Sequence, residues 1–263
     1  MAQPFKDYFN ADAARELARR IHAVHSDFKS RTFVQRATKG LEELEMMGRV
    51  GLFADTLHAT LPKSVPEALR VLVASLPDPF PFEALSSGFV LWPYGEYVRR
   101  YATEHFDEAM DAMVELTQRF TAEFSVRPFV RDAPEQVIAR FMKLKDHPSE
   151  HVRRWCSEGL RPRLPWGEKL AAISADPAPI LPVLEDDPSL YVRRSVANTL
   201  GDISKDHPEL AIKTARRWKK GASADRLWVV RHSLRTLVKA GDPGALDVYG
   251  FAAPRNLDVE LKV

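Results

Sequence analysis

The chain repeats itself. DHPSEHVRRWCSEGLRP, from Asp146, aligns with DDPSLYVRRSVANTLGD, from Asp186, setting Val152 over Val192, Arg153 and Arg154 over Arg193 and Arg194, and Leu160 over Leu200 at an offset of 40. A weaker third copy, LWVVRHSLRTLVKAGDP, brings Val230, Arg231, His232 and Val238 into the same columns after a further 38 residues. PYGEYVRRYATEHF, with Val98, Arg99 and Arg100, reads as an earlier degenerate copy. Such self-similarity constrains the fold strongly, because one unit of this size cannot bury its apolar face alone and must stack on its neighbours.

Each unit is helical. Apolar residues recur with a helical period, as in Leu17, Ile21, Val24 and Phe28 or Leu69, Val73 and Leu76, and no alternating β-branched run competes, so no sheet is expected. Breaks fall at Pro and Gly clusters such as LPKSVPEAL, KDHPSEHV, LRPRLPWGEKL, ADPAPILPVLEDDPSLYV and AGDPGAL. Ser149 and Ser189 stand just before apolar runs, where a hydroxyl can cap free backbone N–H groups. A period near 40 with two helices per unit predicts an all-α, HEAT-like repeat α-solenoid. The expected organisation is one domain over residues 1–250, with the clearest repeats at 146–185, 186–223 and 224–250, and a C-terminal tail over 251–263.

Total charge is uninformative: 38 Lys and Arg against 36 Asp and Glu leave +2. Distribution says more, since residues 121–240 hold 22 basic and 15 acidic side chains whereas residues 1–120 hold 14 and 17. The second half carries the positive field. Cys156 is the single cysteine, which excludes an intrachain disulfide and offers no thiolate metal site. MAQPFKDYFNADAARELARR lacks the apolar core of a signal peptide, and no later run is apolar over the roughly 20 residues that span a bilayer. A cytoplasmic protein without a membrane association, and a monomer, is expected.

In the first repeat Val152, Trp155, Cys156, Gly159 and Leu160 follow the i, i+3, i+4, i+7, i+8 rule and form the expected buried stripe, with Val192, Ser195, Val196, Thr199 and Leu200 as counterparts. A second stripe lies beside it: Arg154, Glu158 and Arg161, then Arg194, Asn198 and Asp202. Stacking puts these in adjacent rows of a basic concave groove, a surface suited to phosphates. The plainer reading of Arg154 and Glu158 is a surface ion pair one helical turn apart. RPRLPW carries Arg161 and Arg163 out of the helix and ends on Trp166, held between prolines and Gly167, which either lies against a sugar or cationic base or plugs a gap between repeats. Glu123 precedes an apolar helix containing Phe124 and Phe129, where an acid ordinarily complements the helix N-terminus. No Gly-rich phosphate loop, HExxH, paired-Cys spacing, GxSxG or helix-hairpin-helix pattern is present, and His147 and His207 sit in DHP turns, where a turn or capping role outweighs metal binding.

TAEFSVRPFV, HVRRWCSEGLRPRLPW and VRRSVANTLGDISKDHP, with the opening FKDYFN and EELEMMGRV, resemble the AlkC branch of the AlkC/AlkD DNA alkylation repair glycosylases over roughly residues 5 to 250. The resemblance implies a solenoid that removes cationic N-alkylated purines, chiefly 3-methyladenine, from double-stranded DNA without turning the nucleotide into a deep pocket, and that needs no metal or organic cofactor. It places Glu123, Glu158 and Trp166 at the lesion, with Asp202 or Asn198 as a fourth member, and gives Arg154, Arg161, Arg163 and Arg194 to phosphates. Some relatives carry a further immunoglobulin-like domain at the C-terminus, for which this chain is expected to be too short. The rival reading is a non-catalytic HEAT-repeat module for a protein or undamaged DNA. Carboxylates facing a polyanion discriminate against it, because a pure phosphate binder gains nothing from them.

Overall fold

A computed structural model describes residues 4–81, 88–170 and 179–251 of the chain. Among these residues all regular structure is helical. A short 3-10 helix, Phe5–Tyr8, leads into α1 (Ala11–Val24), α2 (Ser30–Ala37), α3 (Met46–Thr60), α4 (Val65–Ala74), α5 (Trp92–Tyr101), α6 (Phe106–Thr117), α7 (Arg127–Asp132) and α8 (Pro134–Leu144). The repeat region follows as α9 (Glu150–Glu158), α10 (Leu181–Leu184), α11 (Leu190–Ile203), α12 (Pro208–Lys219), α13 (Ala224–Lys239) and α14 (Pro243–Tyr249). None of these helices is long and apolar enough to cross a membrane.

The aligned copies begin at α9, α11 and α13, and these helices pack side by side as one layer of the solenoid, while α12 and α14 pack on each other in the layer behind. The stripe Val152, Trp155, Cys156, Gly159 and Leu160 is buried, as are its counterparts from Val192 to Leu200. Residues 171–178 of the first repeat and 252–263 of the expected tail lie outside the described residues.

Helix boundaries follow local chemistry. Asn10 caps α1 by accepting from the backbone N–H of Asp12 at 2.8 Å and of Ala13 at 3.0 Å. Proline stands in the first turn of α4, α5, α7, α8, α10, α12 and α14, where its missing N–H costs nothing. Beyond α13, Gly241 adopts φ +75° and its N–H reaches the Val238 carbonyl while that of Asp242 reaches Leu237, a closing pair of bonds that requires the left-handed conformation.

Two local expectations are corrected. Ser149 and Ser189 do occupy the N-cap positions of α9 and α11, yet neither side chain caps its helix. The Ser189 hydroxyl instead donates to Glu150 of the preceding repeat. The carbonyls of each entry loop are gathered by the first arginine of the VRR motif: Arg153 donates to His147 and Pro148, and Arg193 to Asp187 and Pro188. Each arginine also pairs with an acid of the next unit, Arg153 with Asp187 at 2.7 Å and Arg193 with Asp225 at 3.0 Å. The second correction concerns Glu123 and Phe124, which lie in a turn rather than at a helix start, since α7 begins only at Arg127. His147 keeps its turn role, its Nδ1 accepting from the Ser149 N–H at 3.1 Å.

Candidate active site

The second arginine of the motif does something different. Arg154 leaves α9 towards the turn at 121–126, and its guanidinium donates to Glu123 Oε2 at 2.8 Å and to the Thr121 hydroxyl at 3.0 Å. It also reaches Glu158 Oε1 at 3.2 Å, and its Cζ stands 5.1 Å from the centroid of the Tyr191 ring. The turn can approach this closely because residue 159 is glycine: a Cβ there would meet Val126 Cγ1 at 2.9 Å and the Trp155 carbonyl at 3.1 Å.

Glu158 is held from three sides. Arg161 donates to its Oε1 at 2.7 Å, and the Ser195 hydroxyl of α11 donates to its Oε2 at 2.7 Å. Arg161 continues to Asp202 Oδ2 at 2.9 Å, and Lys205 reaches Asp202 Oδ1 at 3.1 Å. The result is a line of alternating charges, Glu123, Arg154, Glu158, Arg161, Asp202 and Lys205, that crosses from the turn through α9 to α11. Glu123, Glu158 and Asp202 are 6%, 5% and 3% exposed. The pair Arg154–Glu158 is therefore no surface ion pair of negligible worth, but part of a buried network in which losing one partner strands a charge.

Burial raises both glutamates, and their neighbours decide between them. For Glu158, two facing guanidiniums, Arg154 and Arg161, together with the Ser195 and Arg161 hydrogen bonds, outweigh desolvation and hold the carboxyl below its ordinary range. For Glu123, desolvation prevails over the single Arg154, the Glu158 charge adds to it, and the carboxyl is pushed up. One group stays ionised and the other takes a proton more readily, a separation suited to dividing electrostatic and proton-accepting roles between two acids.

Trp166 lies apart from the charges and is 69% exposed. Its indole stacks on Trp92, centroids 6.4 Å apart, and Trp92 stacks in turn on Phe124 at 5.0 Å, the residue next to Glu123. The aromatic series thus joins Trp166 to the carboxylates. Trp166 also has φ +62°.

The remaining expected residues are on the surface side. Arg194 is exposed and has no carboxylate partner among the described residues, and Asn198 accepts from Arg235 of α13 at 3.2 Å. Arg163 pairs with Asp206, Nε to Oδ2 at 3.0 Å. Arg154 and Arg161 could reach a phosphate only by leaving carboxylates. Sequence reasoning missed Ser195, Thr121, Tyr191 and Lys205. Ser195 had a signal: it occupies the buried column that holds Trp155 one repeat earlier, and a hydroxyl in an apolar column implies a buried polar partner.

No family model matches the chain. The Bacillus subtilis (strain 168) protein YhaZ, described as uncharacterized, is 40% identical over 252 residues, which are 94% of this chain and 68% of that protein. The solved structure of Pseudomonas fluorescens alkylpurine DNA glycosylase AlkC, bound to DNA containing an abasic site analog, superposes with a TM-score of 0.84 at 37% identity, covering 94% of this chain and 68% of that one. This chain belongs to the AlkC family.

Proposed function

We propose that this chain hydrolyses the N-glycosidic bond of cationic N-alkylated purines in duplex DNA, 3-methyladenine above all, and leaves an abasic site. The observation that carries this reading is the buried pair Glu123 and Glu158, bridged by one guanidinium within the more basic half of the chain. Family membership supports it. A surface that only bound phosphates would be weakened by both acids.

Alkylation at N3 makes the base cationic and a good leaving group, so the C1′–N bond breaks through an oxocarbenium-like sugar and its electron pair departs with a base that is then neutral. Ionised Glu158, fixed by Arg154, Arg161 and Ser195, is preorganised to answer the positive charge that develops at C1′. Glu123, with its raised proton affinity, accepts a proton from the water whose oxygen bonds to C1′. Asp202 keeps Arg161 in place, and the indole of Trp166 offers a π-face to the cationic nucleotide. A cationic base leaves without being protonated, and with both acids assigned to the sugar and the water, neutral lesions are poor substrates. Phosphates fall to Arg194, Arg163 and Arg235, with the Asn198 amide beside them, while Arg154 and Arg161 serve the carboxylates.

Incubation with methylated duplex DNA, followed by chromatography of the released bases, tests the reading. Release of free 3-methyladenine is expected. Tight binding with no base released would favour the non-catalytic HEAT-repeat module.

A further inference from the structure

Much of the positive charge that the sequence places in the groove is neutralised there, since Arg153, Arg154, Arg161, Arg163 and Arg193 are all paired with carboxylates. A second store of charge stands on the layer behind. Residues 208–220, α12 and its C-cap, hold Lys213, Arg216, Arg217, Lys219 and Lys220 against one acid, Glu209, and these five cations are exposed. The other face of α12 carries Ala211, Ile212, Ala215 and Trp218, buried as the helix packs on α11, α13 and α14. The cationic face therefore turns outward, on the opposite side of the stack from Arg194 and Arg235.

Two of the five cations have structural partners. Arg216 pairs with Asp247 of α14 at 3.0 Å, and the Lys219 ammonium donates to the Val248 carbonyl at 2.7 Å. Lys213, Arg217 and Lys220 have no hydrogen-bond or ion-pair partner among the described residues. Spaced i, i+4, i+7, they form one row about 10 Å long. The row ends beside a shallow cleft of about 420 Å³ that Arg216, Lys219 and Lys220 border with Asp247 and Val248. Cations in a last turn complement the helix C-terminus, which leaves Lys213, in the middle of α12, unexplained. Like charges one turn apart repel, so Lys213 with Arg217, and Arg216 with Lys220, cost stability while nothing faces them. With Ile212 and Trp218 buried beneath, the face offers charge without the apolar anchors on which folded protein partners depend. A phosphate backbone needs no such anchor and is bound without regard to sequence.

We propose that the outer face of α12 holds a second segment of duplex DNA while the first lies against Glu123 and Glu158, so that the protein passes from one duplex to another without release into solvent. The inference goes beyond base excision and rests on that reading only for a duplex bound in the groove.

The test follows loss of a fluorescent duplex carrying a stable abasic-site analogue as unlabelled, undamaged duplex is raised from about 1 to about 100 µM, the range of non-specific affinities. Single-turnover release of 3-methyladenine is measured in parallel. With one site the rate of loss is independent of competitor, whereas with two it climbs, because incoming duplex is captured on α12 before the first departs. The wild-type chain loses its duplex several-fold faster at the upper end of the range. The triple variant Lys213→Glu, Arg217→Glu, Lys220→Glu removes that dependence, and glutamine at the same three positions weakens it. In both variants base release and loss on simple dilution stay within about twofold of wild type. A wild-type rate that does not respond to competitor overturns the proposal, as does a response that survives charge reversal. A polyglutamate chain that accelerates loss more than duplex of equal charge assigns the face to an acidic protein and overturns it too. If competitor accelerates loss as expected but no base is released, the second site stands and the glycosylase reading falls.

Discussion

Arg153 and Arg154 are adjacent in the chain and identical in chemistry, and their surroundings make one structural and the other part of the site. The first position of each pair collects loop carbonyls and reaches an acid of the next repeat, as Arg193 does with Asp187, Pro188 and Asp225. The second position points along the layer, where Arg154 finds Glu123 and Arg194 finds solvent. Arg193→Ala should therefore lower unfolding free energy by about 2–3 kcal/mol, the cost of buried carbonyls losing a charged donor, and Arg194→Ala by no more than about 0.5 kcal/mol. Denaturant titration of both decides, and equal losses would contradict the assignment. Helical spacing set Arg154 and Arg194 apart on the groove stripe, but it carried no sign that Arg153 and Arg193 gather the loop carbonyls. For Glu123 the raised proton affinity has a kinetic consequence. Below its pKa the carboxyl already holds a proton and cannot accept one from water, so single-turnover base release should climb with pH through a limb above the usual glutamate value of about 4.3 and then level off. Glu123→Gln should abolish that limb, and a limb that survives the substitution would assign it to another group.

At the scale of elements, the repeat offset made α9, α11 and α13 legible, and the 3.6-residue stripes gave the apolar buried faces of α9 and α11, though not the burial of Glu158 and Asp202 beside them. What the stripes could not convey is how the helix ends and the intervening turn close on one another. Glu123 reads locally as a helix-start acid and becomes a partner of Arg154 only because glycine at 159 lets the turn sit against α9. The assignment of Arg154 and Arg161 to phosphates from sequence fails to anticipate that carboxylates from the turn and from α11 engage them. The cations left over lie on α11 and α13, where Arg194 and Arg235 together depress the proton affinity of half-buried His232, after desolvation, by their nearness. With Arg163, these make about three phosphate contacts, which give a slope of log K against log salt near −2.7. Arg194→Ala and Arg235→Ala should each flatten it by about 0.9, measured by titration over a range of salt. An unchanged slope in both variants would place the DNA elsewhere on the solenoid.

The whole molecule is a stack in which each unit touches mainly its neighbours, so a site that needs several chemical groups must be shared between units. The charged line does this, running from the turn before α7 through α9 into α11, and the aromatic series from Phe124 through Trp92 to Trp166 brings in the N-terminal half. Stacking order was readable from the repeats, whereas this sharing was not, because the groups come from the turn before α7, the end of α9 and α11, and only the stack brings these together. At the centre of the account stands ionised Glu158 facing a developing cation. Glu158→Gln keeps size and hydrogen-bonding capacity and removes the charge, which should lower single-turnover excision of 3-methyladenine by ~10²- to 10³-fold, or about 3–4 kcal/mol, with DNA affinity unchanged or higher. Undiminished excision by the Gln variant, at equal affinity, would contradict the account.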